Sequence, residues 1–474
     1  MFSKPSTRVS SGALRTPYRY PTKTMTVRNS VEVAIIGGGI TGLTLAVGLL
    51  CRNVKFTIYE RAQAFRELGA GIGFTPNAER AMKALDPRIH YSFRKVAVRN
   101  NDDWFRYVDG FHHNGNDPSD MLEMLMYKIY LGERGFEGCR RSDFLQQLVN
   151  LIPTDCIKME KNLEEVQDVS DGSKVLMRFE DGSTAEADVV IGCDGINSRL
   201  RPLMFGQSHA SSQPSYSHKF AFRGIIPMDK ARAALGDEKT STRLMHLGPG
   251  AHALTFPIAG GTMMNVVAFV TDPSPWAEKD GKFVAAATKN EAIDAFAGFG
   301  PAVRTIMSLL PDKLDKWAIF DMYDNPVPTY ASGRLCLAGD AAHASTPHHG
   351  AGAGCGIEDS LALAELLASV NQRAGVMPIR NMVTKALAVY NEMRYDRSQW
   401  LVRSSRMLGE MLEWQDPQTR EDTQVLGHEL WRRCHEIWDF DVDEMVRNGI
   451  DALGWKLAKL PQPLFTEADQ IDWI

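Results

Sequence analysis

Hydrophobic positions along this chain bunch in some stretches and alternate in others, and each pattern predicts an element. Residues 31–36 (VEVAII) form a short apolar run rich in β-branched side chains, and GGGITGLTLAVGLL follows at once. Together they predict a strand buried on both faces, a tight glycine turn and a largely buried helix. Residues 54–59 (VKFTIY) predict a second strand, ending at Glu60. From about residue 80 to 335, helical patches mix with alternating strands such as KVLMRF and LMHLGPGAHALTFPI. The opening pattern then returns as strand (RLCLAG), small-residue loop and helix (IEDSLALAELLASV), and residues 380–450 keep helical spacing.

These elements predict an α/β protein: a Rossmann-like nucleotide-binding domain built from both chain ends, an inserted β-sheet domain, and a helical C-terminal region. The expected boundaries are 31–105, 140–205 and 325–380 for the nucleotide-binding domain. Residues 106–139 and 206–324 form the inserted domain, and 381–474 the helical region. Residues 1–30 stand apart as a basic leader with four Arg, two Lys and no acid.

Composition narrows the class. The chain has 474 residues, 44% hydrophobic and 23% charged, which is ordinary for a globular protein. A net charge of −5 gives no electrostatic basis for a nucleic acid or anionic membrane partner. Seven cysteines are scattered with no CxxC pair, as reduced thiols inside a cell would be. No apolar run approaches the roughly 18 residues of a membrane span. A cytoplasmic protein is expected, with organelle transit through the basic leader as the alternative. Oligomeric state is left open.

Two stretches carry chemistry. Gly37-x-Gly39-x-x-Gly42 follows a strand and opens a helix. In that context Gly37 permits the turn, Gly39 lets backbone approach a pyrophosphate, and Gly42 lets helix and strand pack closely. The helix N-terminus favours the phosphates, and Glu60 at the end of the next strand suits ribose hydroxyls. The unit does not separate NAD from FAD. The second stretch is GDAAHASTPHHGAGAG, residues 339–354. Its histidines (343, 348, 349) lack the i, i+4 spacing of a helical zinc site, and adjacent His348 and His349 tend to point apart, so no metal is expected. No G-x-S-x-G elbow occurs in the chain. The glycines and alanines point instead to a flat cofactor lying on backbone.

With these motifs the chain resembles the single-component FAD-dependent aromatic hydroxylases, the group containing salicylate and para-hydroxybenzoate hydroxylases. The resemblance rests on the glycine motif continued by RELGAGIGFTPNA, on ADVVIGCDGINSRLR at 187–201, and on the GDAAH stretch. It implies FAD as cofactor, with Arg141 of RRSDFLQQL reaching the pyrophosphate and Gly73 beside the cofactor. It further implies Asp340 on the ribityl hydroxyls, and a bed of Ala341, Ala342, Gly350, Ala351, Gly352, Ala353 and Gly354 beneath the ring. His343 is expected to be structural. The implied reaction uses NADPH or NADH and O2, and a flavin C4a-hydroperoxide delivers oxygen to a phenol.

FRELGAGIGFTPNA, RGFEGCRR, SHKFAFRGII and TPHHGAGAG look more specifically like fungal monooxygenases that dearomatise polyketide phenols in tropolone, sorbicillinoid and azaphilone pathways. That resemblance makes Arg223, in the inserted domain, the phenolate-binding residue. Where several such enzymes carry a tyrosine this chain has Phe256, leaving Tyr127, Tyr130, Tyr216 and His252 as candidates for the second contact. Salicylate-type decarboxylating hydroxylation is the alternative within this chemistry. A flavin oxidase or dehydrogenase that does not use NAD(P)H is the alternative outside it.

Overall fold

The computed structural model describes residues 30–65, 71–113, 121–131, 136–168, 174–277, 282–375 and 377–460. The basic leader up to residue 29, the RELGA segment and residues 461–474 lie outside the described residues.

A six-stranded sheet runs in the order Ala331–Ser332, Leu335–Leu337, Val189–Gly192, Glu32–Ile36, Lys55–Tyr59, Ile157–Lys158. All neighbours pair parallel except the first two. The predicted VEVAII strand sits inside it, with Val33, Ala34, Ile35 and Ile36 at 4% exposure or less. Near-continuous apolar sequence is what a parallel strand covered on both faces requires. The glycine motif has its geometric reason here. Gly37 has φ +103°, and a Cβ there would lie 2.5 Å from the Cys193 carbonyl oxygen. A Cβ on Gly42 would lie 2.0 Å from the Gly37 carbonyl oxygen, so only glycine lets the helix Ile40–Cys51 start this close to the strand.

Helix Gly352–Gln372 packs across that first helix, where the Thr44 and Ser360 hydroxyls meet at 3.0 Å. It is clamped in turn to the 34-residue helix Ile379–Leu412 by a buried charge cluster. Arg394 reaches Glu358 at 2.8 Å and Asp359 at 2.7 Å, all three at 0% exposure, and Arg397 also reaches Glu358 at 2.8 Å. Helices Thr423–Trp438 and Val442–Ala458 complete the C-terminal region, as the spacing of residues 380–450 predicts.

The inserted region forms an eight-stranded sheet in the order Val284–Thr288, Lys313–Asp321, Ser215–Pro227, Met263–Thr271, Ala251–Ile258, Leu244–Gly248, Trp104–Asp109, Leu125–Tyr130. LMHLGPGAHALTFPI resolves into two of these strands around a Gly-Pro-Gly turn. The sheet has two unlike faces. Phe222, Ala253, Val266 and Ala268 point to one side and form a separate core with helices Met228–Leu235 and Pro301–Ser308. The opposite face carries Arg223, Val267, Leu254 and Met245, one from each of four adjacent strands in register. That face turns towards the nucleotide-binding domain.

Candidate active site

A cleft of about 270 Å³ opens at the carboxyl ends of the central strands, where open α/β sheets bind their ligands. Gly37, Gly39, Glu60, Arg141 and Asp194 line it together. A Cβ on Gly39 would meet nothing within 4 Å, so this residue faces open space. The Glu60 carboxylate accepts from the Gly38 amide at 2.6 Å and the Ala62 amide at 2.8 Å, and both oxygens keep acceptor capacity for a ribose. Burial pulls the Arg141 guanidinium pKa down, opposed by the Asp340 charge. One Asp194 oxygen accepts the Arg199 and Leu200 amides at 2.6 and 3.1 Å, while Oδ1 is buried without a partner. Burial raises the Asp194 pKa, opposed first by the Ser198 hydroxyl and then by the backbone amides. An unpaired buried acceptor, an open glycine and a guanidinium in one cleft fit a polyhydroxylated dinucleotide such as FAD.

The GDAAH stretch continues this line. Asp340 is exposed, and a Cβ on Gly352 would lie 3.9 Å from its Oδ1. Gly352 and Ala353 are half-buried in the first turn of their helix. Ala341 and Ala342 differ from expectation: both are fully buried, and the Ala341 carbonyl accepts from Arg201 Nη1 at 3.0 Å. The surface open to a flat ring is therefore Asp340, Gly350, Gly352 and Ala353. Gly73 lies on the strand Gly71–Phe74, and a Cβ there would lie 1.8 Å from the Phe136 ring. It is a close-packing position that does not line the cleft. Gly42 likewise acts through packing.

The three histidines diverge. His343 Nε2 sits 2.6 Å from Asp359 Oδ2 in the core, as a structural histidine would. His349 Nε2 meets Ser404 Oγ at 2.9 Å, and His348 packs on Gly409, Phe269 and His252. His343, Cys355 and Asp359 do bring ligand atoms within 4.8 Å of one another. Arg394 donates to the same Asp359 at 2.7 Å and to Cys355 Sγ at 3.1 Å, so a guanidinium supplies the positive charge there.

Arg223 approaches from the other sheet. Burial, and then the charge of Arg141, pull its guanidinium pKa down to about 10. It lies over the Trp317 ring at 4.8 Å, and its Nε is buried with no acceptor. Among the described residues, no carboxylate comes within 4 Å of it. Ala221, Val267, Phe269 and Ile319 form a small apolar cluster around it on the same face. Phe256 packs where a Cβ on Gly71 or Gly138 would go. Of the four candidate partners, Tyr127 lies against Gly427 and Tyr130 is 50% exposed beside Trp104. Tyr216 donates to Asp272 at 3.3 Å. His252 is fully buried on the Arg223 face, with Nδ1 3.1 Å from Glu413 and Nε2 unpaired.

Sequence reasoning missed Asn265, also on this face. Its Oδ1 accepts the Gly71 amide at 3.1 Å and its buried Nδ2 has no partner. Alternation in MMNVVAFVT groups Asn265 with Val267 and Phe269, but only strand pairing tells which face they share.

A family of FAD binding domains matches residues 30–402. The chain belongs to this family. It is similar to the FAD-dependent monooxygenase pigN of Monascus ruber, 56% identical over 419 residues, 88% of this chain and 95% of the relative. It is also similar to the FAD-dependent monooxygenase orf3 of Aspergillus niger, 51% identical over 436 residues, 91% of this chain and 98% of the relative. A solved salicylate hydroxylase substrate complex shares the fold with TM-score 0.76 and 31% identity, covering 89% of this chain and 98% of that one. The protein is an FAD-dependent monooxygenase of the salicylate hydroxylase-like group. No helix among its described residues is long and apolar enough to cross a membrane.

Proposed function

We propose that this monooxygenase uses NAD(P)H and O2 to hydroxylate, with dearomatisation, a phenolic polyketide of fungal secondary metabolism. One observation carries the reading. Arg223 is half-buried with its Nε fully enclosed, has no carboxylate partner among the described residues, and lies on the sheet face turned towards the cofactor cleft. A cation drawn partly out of water without a partner is costly and calls for an anion. A phenol that binds there loses its proton more readily, because a nearby positive charge stabilises phenolate. Phenolate in turn makes the ring carbons more nucleophilic.

Bound FAD supplies reduction by NAD(P)H and activation of O2. The chain's own residues do the rest. Gly37, Gly39, Glu60 and Arg141 would hold the adenylate and pyrophosphate, and Asp340 the ribityl chain. Arg223 holds the phenol oxygen, and the apolar cluster of Val267, Phe269 and Ile319 keeps water from the ring. Asn265 Nδ2 and His252 Nε2, both buried and unpaired, are the groups available to orient the ring where Phe256 offers no hydroxyl. Seven unpaired cysteines support a reducing compartment, read as the cytoplasm.

The test is NADPH and NADH oxidation by the yellow protein, screened against alkyl resorcylic aldehydes and salicylates with product masses. A product heavier by one oxygen, lacking aromatic absorbance, is expected. Loss of CO2 would instead favour the salicylate-type reaction. Bleaching of the flavin by substrate without nicotinamide would favour an oxidase or dehydrogenase.

A further inference from the structure

A more deeply buried guanidinium lies on the Arg223 face. Arg243 immediately precedes the strand Leu244–Gly248, two residues before Met245, and is 3% exposed. Among the described residues no carboxylate lies within 4 Å of it and no acceptor meets its Nε. Three rings box it in: Phe136 at 3.4 Å, Phe256 at 4.9 Å and Phe105 at 5.3 Å from its Cζ. Burial pulls its pKa down to about 9, countered by Tyr107.

The box is not remote from the chemistry. Phe136 touches the Cβ positions of both Gly73 and Gly350, and Phe256 those of Gly71 and Gly138. These rings therefore lean on the paired strands Gly71–Phe74 and Glu137–Arg140 and on Gly350 of the GDAAH stretch. Cation–π contacts offset part of the burial cost, but they satisfy no N–H donor.

Strand register sets the separation from Arg223. The chain of partners Arg223, Val267, Leu254, Met245 crosses three strand spacings, and Arg243 lies two residues further along. At ordinary sheet spacings the two backbones are about 16 Å apart. The two arginine side chains take up part of that distance, and the gap left between their guanidinium groups suits a ring whose second acidic oxygen is carried on a side chain.

We propose that Arg243 is a second anion-binding residue of the substrate site, taking an acidic oxygen on the side chain of the phenol whose ring oxygen Arg223 holds. The assignment rests on the phenol reading above. It restricts the substrate class to phenols that carry a second acidic oxygen on a flexible arm.

The test uses holoenzyme and two probes with the same resorcylic aldehyde ring, one with a side chain ending in carboxylate and one ending in methyl. Binding is read from perturbation of the bound-FAD visible spectrum, and turnover from product mass. Wild type is expected to bind the carboxylate probe at least about tenfold more tightly. Arg243→Met should bring the ratio near one without moving the methyl probe, and Arg243→Lys should keep part of the preference. An unchanged ratio in Arg243→Met, or equal weakening of both probes, overturns the assignment and leaves a packing role. Should Arg243→Met fail to hold FAD, the wild-type ratio and Arg243→Lys decide, and a wild-type ratio near one overturns it. If both probes bind but neither is hydroxylated, the phenol reading falls while the Arg243 ratio still stands or fails by itself.

Discussion

Arg223, on the strand Ser215–Pro227, and Arg141, at the start of helix Arg141–Val149, come together with like charge, and Arg141 adds to burial in depressing the Arg223 pKa. Arg141 lines the nucleotide cleft and feels Asp340, whereas Arg223 sits among Val267, Phe269 and Trp317. Under the proposed function these two like charges serve different anions by position: phosphate for Arg141, phenolate for Arg223. Arg223→Ala is therefore expected to purify yellow with a full complement of FAD, yet to lose about a hundredfold or more in kcat/KM towards phenols. Absorbance of the bound flavin and steady-state rates check this. Normal hydroxylation by the variant would remove the phenolate role.

The glycine motif separates two kinds of glycine, and substitution should separate them too. Gly39 has φ −76° and no atom within 4 Å of its Cβ position, so Gly39→Ala is expected to fold. The added methyl projects into the space the pyrophosphate needs, and the protein should purify with little or no flavin. Gly42→Ala pushes a methyl to within 2.0 Å of the Gly37 carbonyl oxygen, against backbone that cannot yield cheaply. It should lower Tm and soluble yield whether or not FAD is added. Thermal unfolding with and without excess FAD distinguishes the two outcomes.

The nucleotide-binding half was legible in the sequence because its signals are local. Strand, glycine turn, helix and acid follow one another within thirty residues, and Gly42 is required by Gly37 five residues before it, although Gly37 itself abuts Cys193 far along the chain. The substrate half was not, because its site is a sheet face. Whether Arg243 or Asn265 points to the helices or to the cofactor depends on which strands pair, and those strands lie far apart in the chain. Arg394 illustrates the same limit. In a helix rich in Arg and Glu it reads as one more surface charge, yet it is fully buried between Glu358 and Asp359.

That burial gives a stability prediction. Burial alone would raise the Asp359 pKa, but His343 and Arg394 hold it well below the usual carboxylate range. Arg394→Met removes the one cation shared by both carboxylates and leaves Asp359 with His343, and Glu358 with Arg397. The expected loss is about 3–5 kcal/mol, measured by denaturant unfolding of the FAD-bound protein. The double change Arg394→Met with Asp359→Asn should recover part of it, since Asp359 has no other guanidinium partner and its charge is then removed with that of Arg394. No recovery would mean that the loss came from packing and not from charge.

His348 gives the pH dependence. Burial first, then the neighbouring His252, Lys219, His349 and Arg406, push its pKa far below 6.5, and neither ring nitrogen has a partner. Above pH 6.5 neither folded nor unfolded chain carries the proton, so the group contributes nothing. Below 6.5 the unfolded chain takes up a proton that the folded chain refuses, and stability falls by about 1.4 kcal/mol per pH unit from this group alone. His348→Asn, which cannot titrate, should make the slope of unfolding free energy between pH 6.5 and 5 shallower by up to one proton. Its stability at pH 8 reports only the change in packing beside Phe269 and Gly409. Denaturant titrations at several pH values give both quantities. A slope equal to wild type would show that His348 protonates in the folded protein as readily as in solution.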